Sequence, residues 1–428
     1  MNATVLARLI VVVAACCAAH PAAASAQGAA PAGHTRLNVE FASEGMRRYP
    51  SISTALGQLA NRGADVALDR VFGPPDGTGA RRVAQRVVRT YLVSLPIAAL
   101  SATAAHELGH VSRGHDGGLS FSGFKIAQWP WPVPVMSARL YVDTSGEAPS
   151  GFNELSAIAG GAEGARAQEL ALLDAMYSEG STNYFNWLLV ADARLEMPFY
   201  TWTDQAPPAV VGDPGQFAEV FGFTRAAARF RPGEPGVYLV PTQEEQAAAW
   251  RTLRHGMWLN LADYSLVTAF VQTFQYVRTG DRDTSVPVLR RGSVGIVPAL
   301  HFLMTSQGFE RGVDVRIISE RTLTRSELRW TDAPTGEHLW AGGIDVRARA
   351  GRWQPRFRAD IFERTATLYE RLEEHHVGVR IEAGARVPLQ LRRRFDVGVR
   401  LGYKTRGFLA DAPERRTFLG GVTLRAMF

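Results

Sequence analysis

Apolar residues recur at helical spacing from Ile52 to Phe72, and the Gly73-Pro74-Pro75-Asp76-Gly77 break ends that segment. Ala80–Arg113 reads as one long helix with a kink at Pro96. Within it Tyr91–Ala105 is almost uncharged, which predicts burial on most sides. Gly117–Gly151 is rich in aromatics, Pro and Gly, and its Trp129-Pro130-Trp131-Pro132 run cannot be a helix interior. Phe152–Ser178, Thr182–Trp202 and Gln243–Arg278 are further helices. Pro207–Pro241 reads as loop-rich, and residues 27 to about 50 as a mobile lead-in.

The period changes from helical to two near Asp281, and about eight alternating segments follow. The clearest sets Val377, Val379, Ile381, Ala383, Ala385 and Val387 against Gly378, Arg380, Glu382, Gly384 and Arg386. The next sets Phe395, Val397, Val399, Leu401 and Tyr403 against Asp396, Gly398, Arg400, Gly402 and Lys404. Weaker versions fall near 293–304, 310–319, 323–331, 338–349, 354–363 and 417–428. Segments of this length suit tilted strands crossing a bilayer, with the apolar face outward and the charged face lining a polar lumen. The fold class is therefore α+β: a mainly helical N-terminal domain, 27–285, and a C-terminal antiparallel β-barrel of about eight strands, 286–428. A soluble sheet packed on the helices would alternate as well, so closure is an expectation for the structure to meet.

A hydrophobic content of 46% in 428 residues suits two folded domains after a leader and argues against wholesale disorder. The net charge of +6 is spread along the chain without a dense Lys/Arg run, so nucleic acid is not an expected partner. Residues 1–26 read as an export signal: Arg8, the apolar run Leu9–Ala19, then Ala24-Ser25-Ala26 before Gln27. Val13-Ala14-Ala15-Cys16 also fits a lipoprotein box, with Cys16 lipidated. Cys16 and Cys17 are the only cysteines, so a chain cleaved after Ala26 has neither disulfide nor thiolate ligand, and any metal site must use His, Asp and Glu.

His106-Glu107-Leu108-Gly109-His110 supplies such a site. Residues four apart on a helix share a face, so His106 and His110 can direct two imidazole nitrogens at one Zn²⁺, with Glu107 placed to take a proton from its water. Two histidines and a glutamate in an apolar helix would also be costly without partners. The motif resembles that of the zincin metallopeptidases. The metzincin extension is not met: Arg113 and Asp116 stand where its glycine and third histidine would be, and Gly114 comes one residue late. His115 and Asp116 remain open as ligands. The gluzincin solution takes a glutamate from a later helix, with Glu154, Glu163 and Glu169 as candidates. Glu154 shares a small, apolar stripe with Ile158, Gly161, Ala165 and Leu172 and is the expected third ligand; Glu169 is the reserve, and Glu163 falls on a face that looks solvated. Asn153-Glu154 resembles the opening of a gluzincin third-ligand motif whose remainder is absent. Asp263 could orient a ligand histidine or be a satisfied core aspartate, while His255, His301, His375 and His376 read as packing, lumen or surface residues.

Outer-membrane barrels of bacteria usually end in Phe, and the terminal Val422, Leu424, Ala426, Phe428 pattern resembles theirs. Taken together, the two resemblances imply a zinc metallopeptidase of the HExxH type in the periplasm or at the outer membrane. Its expected partners are a peptide or protein substrate and outer-membrane lipid; the oligomeric state is not legible. An amide or ester from envelope lipid or cell wall is an open substrate class. A second reading makes Tyr91–Ala105 and the motif an intramembrane helix of a protease. A third is a non-catalytic outer-membrane barrel with a helical plug or binding domain.

Overall fold

The computed structural model describes residues 36–428 apart from 117, 129–135, 144–150, 208–211, 229–241, 349–352, 365–375, 390–394, 410, 414 and 428. The leader with Cys16 and Cys17, the Trp129–Pro132 run, His375 and Phe428 lie outside the described residues.

Strand β1 (Arg36–Ala42) precedes helix α1 (Gly45–Phe72), α2 (Ala80–Arg89), a π-helical turn (Thr90–Ser94) and α3 (Leu95–Asp116). The turn immediately precedes Pro96, whose missing N–H interrupts the regular ladder, so the expected kink is an interruption just ahead of the proline. A hairpin, β2 (Ser120–Gln128) and β3 (Met136–Asp143), leads to α4 (Gly151–Glu179). There follow β4 (Ser181–Asn183), α5 (Tyr184–Thr203), α6 (Asp213–Ala228), α7 (Gln243–Gly256), the single turn α8 (Trp258–Leu261) and α9 (Tyr264–Thr279). Short strands β5 (Asp283–Ser285) and β6 (Leu289–Arg291) open the sheet region. Then come β7 (Val294–Thr305), β8 (Gly308–Ile318), β9 (Thr322–Asp332) and β10 (His338–Ala348). The last four are β11 (Gln354–Arg364), β12 (His376–Leu389), β13 (Phe395–Lys404) and β14 (Thr417–Met427).

The eight alternating segments are all present, β7 to β14, as an antiparallel meander. Closure is corrected. The sheet has ten strands in the order β1-β14-β13-β12-β11-β10-β9-β8-β7-β6, and no pairing joins its ends among the described residues. Two local facts keep it open. Residues 36–42, read as part of a mobile lead-in, pair along β14 from Arg36↔Met427 to Ala42↔Gly421 and occupy the edge that closure would need. At the other end, β6 covers only Val294–Ile296 of β7, and helix-borne side chains take the edge beyond it. Asn260 accepts from Phe302 N (2.8 Å) and donates to Phe302 O (2.9 Å), Asp263 accepts from Leu300 N (3.1 Å), and Arg194 donates to Leu300 O (3.1 Å). The edge groups are thus satisfied without another strand.

The sheet's polarity is the reverse of a water-soluble one. Val379, Ile381, Val399 and Leu401 are exposed, as is Phe418 at 81%. Arg380, Glu382, Arg400 and Lys404 alternate with them and are buried, Arg380 fully. Inward charges are paired, as a buried cation requires. Arg47 of α1 reaches Glu382 (2.8 Å) and Asp411 (2.7 Å), and Asp411 also receives Arg358 and Arg380, each at 2.7 Å. Arg400 pairs with Glu44 (2.7 Å), and Arg425 with Glu179 at the end of α4 (2.7 Å).

Helix α4 runs through the interior, buried along Leu155–Glu169. Its glycines let it touch α3 backbone to backbone: a Cβ on Gly109 would sit 2.1 Å from Gly160 O. That approach brings the HExxH face of α3 onto α4.

Candidate metal centre

His106 and His110 lie one turn apart on α3, both buried. Their Nε2 atoms stand 3.0 Å apart. The third group is Asp213, the first residue of α6, whose Oδ2 is 2.9 Å from His106 Nε2 and 3.1 Å from His110 Nε2. Zinc bonds of about 2.0–2.1 Å at tetrahedral angles need donors roughly 3.3 Å apart, so the triangle is a few tenths of an ångström tight. Its N, N, O chemistry is a zinc donor set. Gly161 of α4 forms the back of the site: a Cβ there would come within 2.4 Å of His106 Nε2 and 2.5 Å of His110 Nε2. Only glycine leaves room where the two nitrogens converge. The residues present therefore fit a metal ion.

The surrounding groups hold this geometry. His110 Nδ1–H donates to Ala157 O at 2.7 Å, which fixes the ring with its other nitrogen, Nε2, facing the centre. Glu196 Oε1 lies 3.2 Å from His106 Nδ1, on the far side of that ring. Asp204 accepts from Gly212 N (3.1 Å) and Gly215 N (2.8 Å), anchoring the start of α6. The Tyr200 hydroxyl accepts from Asp213 N at 3.2 Å. Burial pushes the Asp213 carboxyl up, but the charges and hydrogen bonds of His110 and His106 outweigh it and hold the group well below the usual carboxylate range. Burial, with Glu196 beside it, pushes Asp192 up to about 7. Asp192, Glu196 and Tyr200 follow one another at four-residue steps, so α5 turns a single polar stripe toward the site.

The structure brings His106 and His110 together as the spacing predicts, but it does not bring Glu154 to them. Glu154 is exposed at the start of α4. Gly161, on the same stripe, does meet both histidines, but Glu154 does not reach them. Glu154 sits seven residues earlier on the helix, about 10 Å along its axis. Glu163, read as solvated, is fully buried, pairing with Arg113 and accepting from Ser306 N at 3.1 Å. Glu169 pairs with Arg166 (2.7 Å) and Arg194 (2.9 Å). His115 is exposed, and Asp116 faces Arg113 at 3.7 Å. Asp263 caps α9 through Ser265 N (2.8 Å) and pairs with Arg194 (2.8 Å), so it serves the fold, and Glu196 stands behind His106 instead. His301 belongs to a buried charge cluster with Arg166 (3.1 Å) and Glu310 (3.3 Å), and His255 is exposed. Glu107 lies beside the triad, close enough to share its electrostatics with His106, His110, Asp213 and Glu196.

Sequence reasoning missed Asp213 because 207–241 reads as loop. The available signal was local: Gly212-Asp213-Pro214 is a helix-start pattern.

No family model and no curated protein matches the chain. One solved structure, described as the crystal structure of Acinetobacter baumannii OccAB3, aligns at 6% identity and a TM-score of 0.26. The alignment covers 34% of this chain and 47% of that one.

Proposed function

We propose that the protein is a metal-dependent hydrolase embedded in a bacterial outer membrane, most simply a zinc metallopeptidase. The observation that carries the catalytic part is the triangle of His106, His110 and Asp213 donors around a space that Gly161 alone keeps open. Zinc, when bound, would acidify a water toward neutral pKa and polarise a carbonyl. Glu107 would hold that water and take its proton as the carbonyl is attacked. Tyr200, whose oxygen accepts from Asp213 N, keeps its own proton to donate to the oxygen on which charge develops. Asp213 replaces the expected Glu154 as third ligand, and a peptide or protein is the substrate class. The outer-membrane placement is supported by the exposed apolar face and buried charged face of the sheet.

One observation favours a second reading, a non-catalytic outer-membrane sheet with a helical plug: ion pairs such as Arg47–Glu382 bind the helices to the lumen face without any metal. Metal content decides. Purified wild-type protein and Glu154→Ala should each carry about one zinc per chain, as a single tetrahedral site requires. His106→Ala and Asp213→Ala should carry none. Equal metal in all four would leave the plug reading standing.

A further inference from the structure

We propose that helices α1, α2–α3 and α9 form the remainder of the membrane wall, with their outer faces against lipid acyl chains. This inference rests on the membrane reading of the sheet and extends it to a part of the chain that has no strands.

The first ground is polarity. On α1 the buried face holds Arg47, Gln58, Asn61 and Asp65, while Leu56, Leu59 and Val71 are exposed. Along α2 and into α3, Arg86, Arg89 and Ser94 are buried, while Val87, Val88 and Leu92 are exposed. On α9 the buried face is mixed, with Thr268 and Gln272 beside Leu266, Ala269 and Tyr276, while Phe270, Val271 and Phe274 are exposed. A helix on the surface of a water-soluble protein turns its apolar stripe inward. On α1 and α2 the buried face is instead largely polar, and all three leave an apolar stripe exposed, as the sheet does.

The second ground is continuity. These helices bridge the gap between the sheet's two ends. Edge strand β1 meets α1, where Glu40 N donates to Ser51 Oγ at 2.6 Å. Helix α1 packs on α3, with Ser53 Oγ and Ser101 Oγ 3.3 Å apart. Arg86 of α2 donates to Val277 O (2.7 Å) and Arg278 O (2.8 Å) at the end of α9. Helix α9 then touches β7, the other end of the meander. Polar contacts tie the ring together on its inner side, and apolar side chains cover its outer side.

Length agrees. The apolar stripe of α1 from Ile52 to Phe72 spans about 30 Å, the thickness of a bilayer's hydrocarbon core. The run 80–116 is long and apolar enough to cross a membrane. Arg86 and Arg89 within it are turned inward, Arg89 to Asp65 (3.2 Å) and Asp69 (2.8 Å), so no charge is left facing lipid at those positions.

The test uses the full chain with Cys16 and Cys17 replaced by serine, folded into phosphatidylethanolamine/phosphatidylglycerol vesicles. Single spin-labelled cysteines replace Leu59, Val88 or Phe274 on the helices, and Val399 or Leu401 on the sheet as reference. Relaxation is measured with oxygen, which concentrates in acyl chains, and with a nickel chelate that stays in water. The proposal expects the three helix sites to match the two sheet sites, with oxygen access exceeding nickel access several-fold. Nickel access at the helix sites with oxygen access at the sheet sites would overturn it. So would helix sites shielded from both reagents and broadened by a neighbouring label, because a second protein copy would then cover that face. Nickel access at Val399 and Leu401 as well would overturn the membrane reading itself and the proposal with it.

Discussion

Replacing Gly161 by Ala tests the metal centre without touching a ligand. The new methyl carbon would lie 2.4 Å from His106 Nε2 and 2.5 Å from His110 Nε2. Comfortable contact begins near about 3.5 Å, so each imidazole must retreat by about 1 Å. Retreat of helix α4 instead would open its backbone-to-backbone contact with α3 at Gly160 and Gly164 and carry Ala157, which holds His110, away with it. Metal–ligand distances tolerate only about ±0.2 Å, so the pair can no longer share one ion. Losing even an indirect support commonly costs ~10–100-fold in metal affinity, and displacing two ligands should exceed that. Stability should change far less. Overpacking costs about 1–3 kcal/mol, partly offset by the ~1 kcal/mol that alanine gains over glycine inside a helix. The assay is zinc competition against a chelating dye in detergent, with heat-modifiable mobility as the check on folding. Gly63→Ala on α1 is the control, since its added carbon meets nothing within 4 Å. A folded Gly161→Ala protein that binds zinc as tightly as wild type would refute the site geometry.

Glu107→Gln should keep the metal and lose hydrolysis by about 10²–10⁴-fold, because an amide cannot take the water's proton; single-turnover hydrolysis of a peptide library checks this. Val399→Arg places a charge on the outward face and should cost roughly 2–4 kcal/mol of folding into vesicles if the site is near the midplane, read from urea titration. Asp411→Ala removes the carboxylate shared by Arg47, Arg358 and Arg380. It should destabilise by about 3–5 kcal/mol, seen as a lower temperature for the heat-modifiable shift, with little loss for an exposed acid such as Glu154→Ala.

The sheet was legible because alternation is a local property. Each of β7 to β14 carries its own inside and outside, and the charged set names the inward face without any partner being known. Closure was not legible. It turns on whether β14 meets β7 or something else, and that something is seven residues some 380 positions earlier in the chain. Leu37, Val39 and Phe41 do alternate there, but a run that short is a weak signal. The metal centre divides in the same way. His106 and His110 are visible because both sit on one helical turn. Asp213 is about a hundred residues away, and no local pattern links it to them. The stripe on α4 did mark the face that meets the histidines, through Gly161, but a stripe fixes azimuth and not height along the helix.

The sign of helix amphipathicity was the remaining ambiguity, and its resolution is energetic. The pattern Ile52, Leu56, Leu59 on α1 is the same whether that face points to a core or to lipid. What decides is the opposite face. The sheet turns Arg358, Arg380 and Arg400 inward, and an unpaired buried arginine costs several kcal/mol. Helices that line such a lumen must present polar groups to it: α1 answers with Arg47, which links Glu382 to Asp411, and with Glu44 just before it, which pairs with Arg400. Once the polar face is committed inward, the apolar face has nowhere to go but out. The interior is therefore mixed: the polar faces pair with the sheet's charges, and apolar clusters such as that of Leu173, Trp187, Leu189 and Tyr276 fill the space between the helices. His106 and His110 can lie buried beside the half-buried Asp213 because each of the three has a polar partner at hydrogen-bond distance.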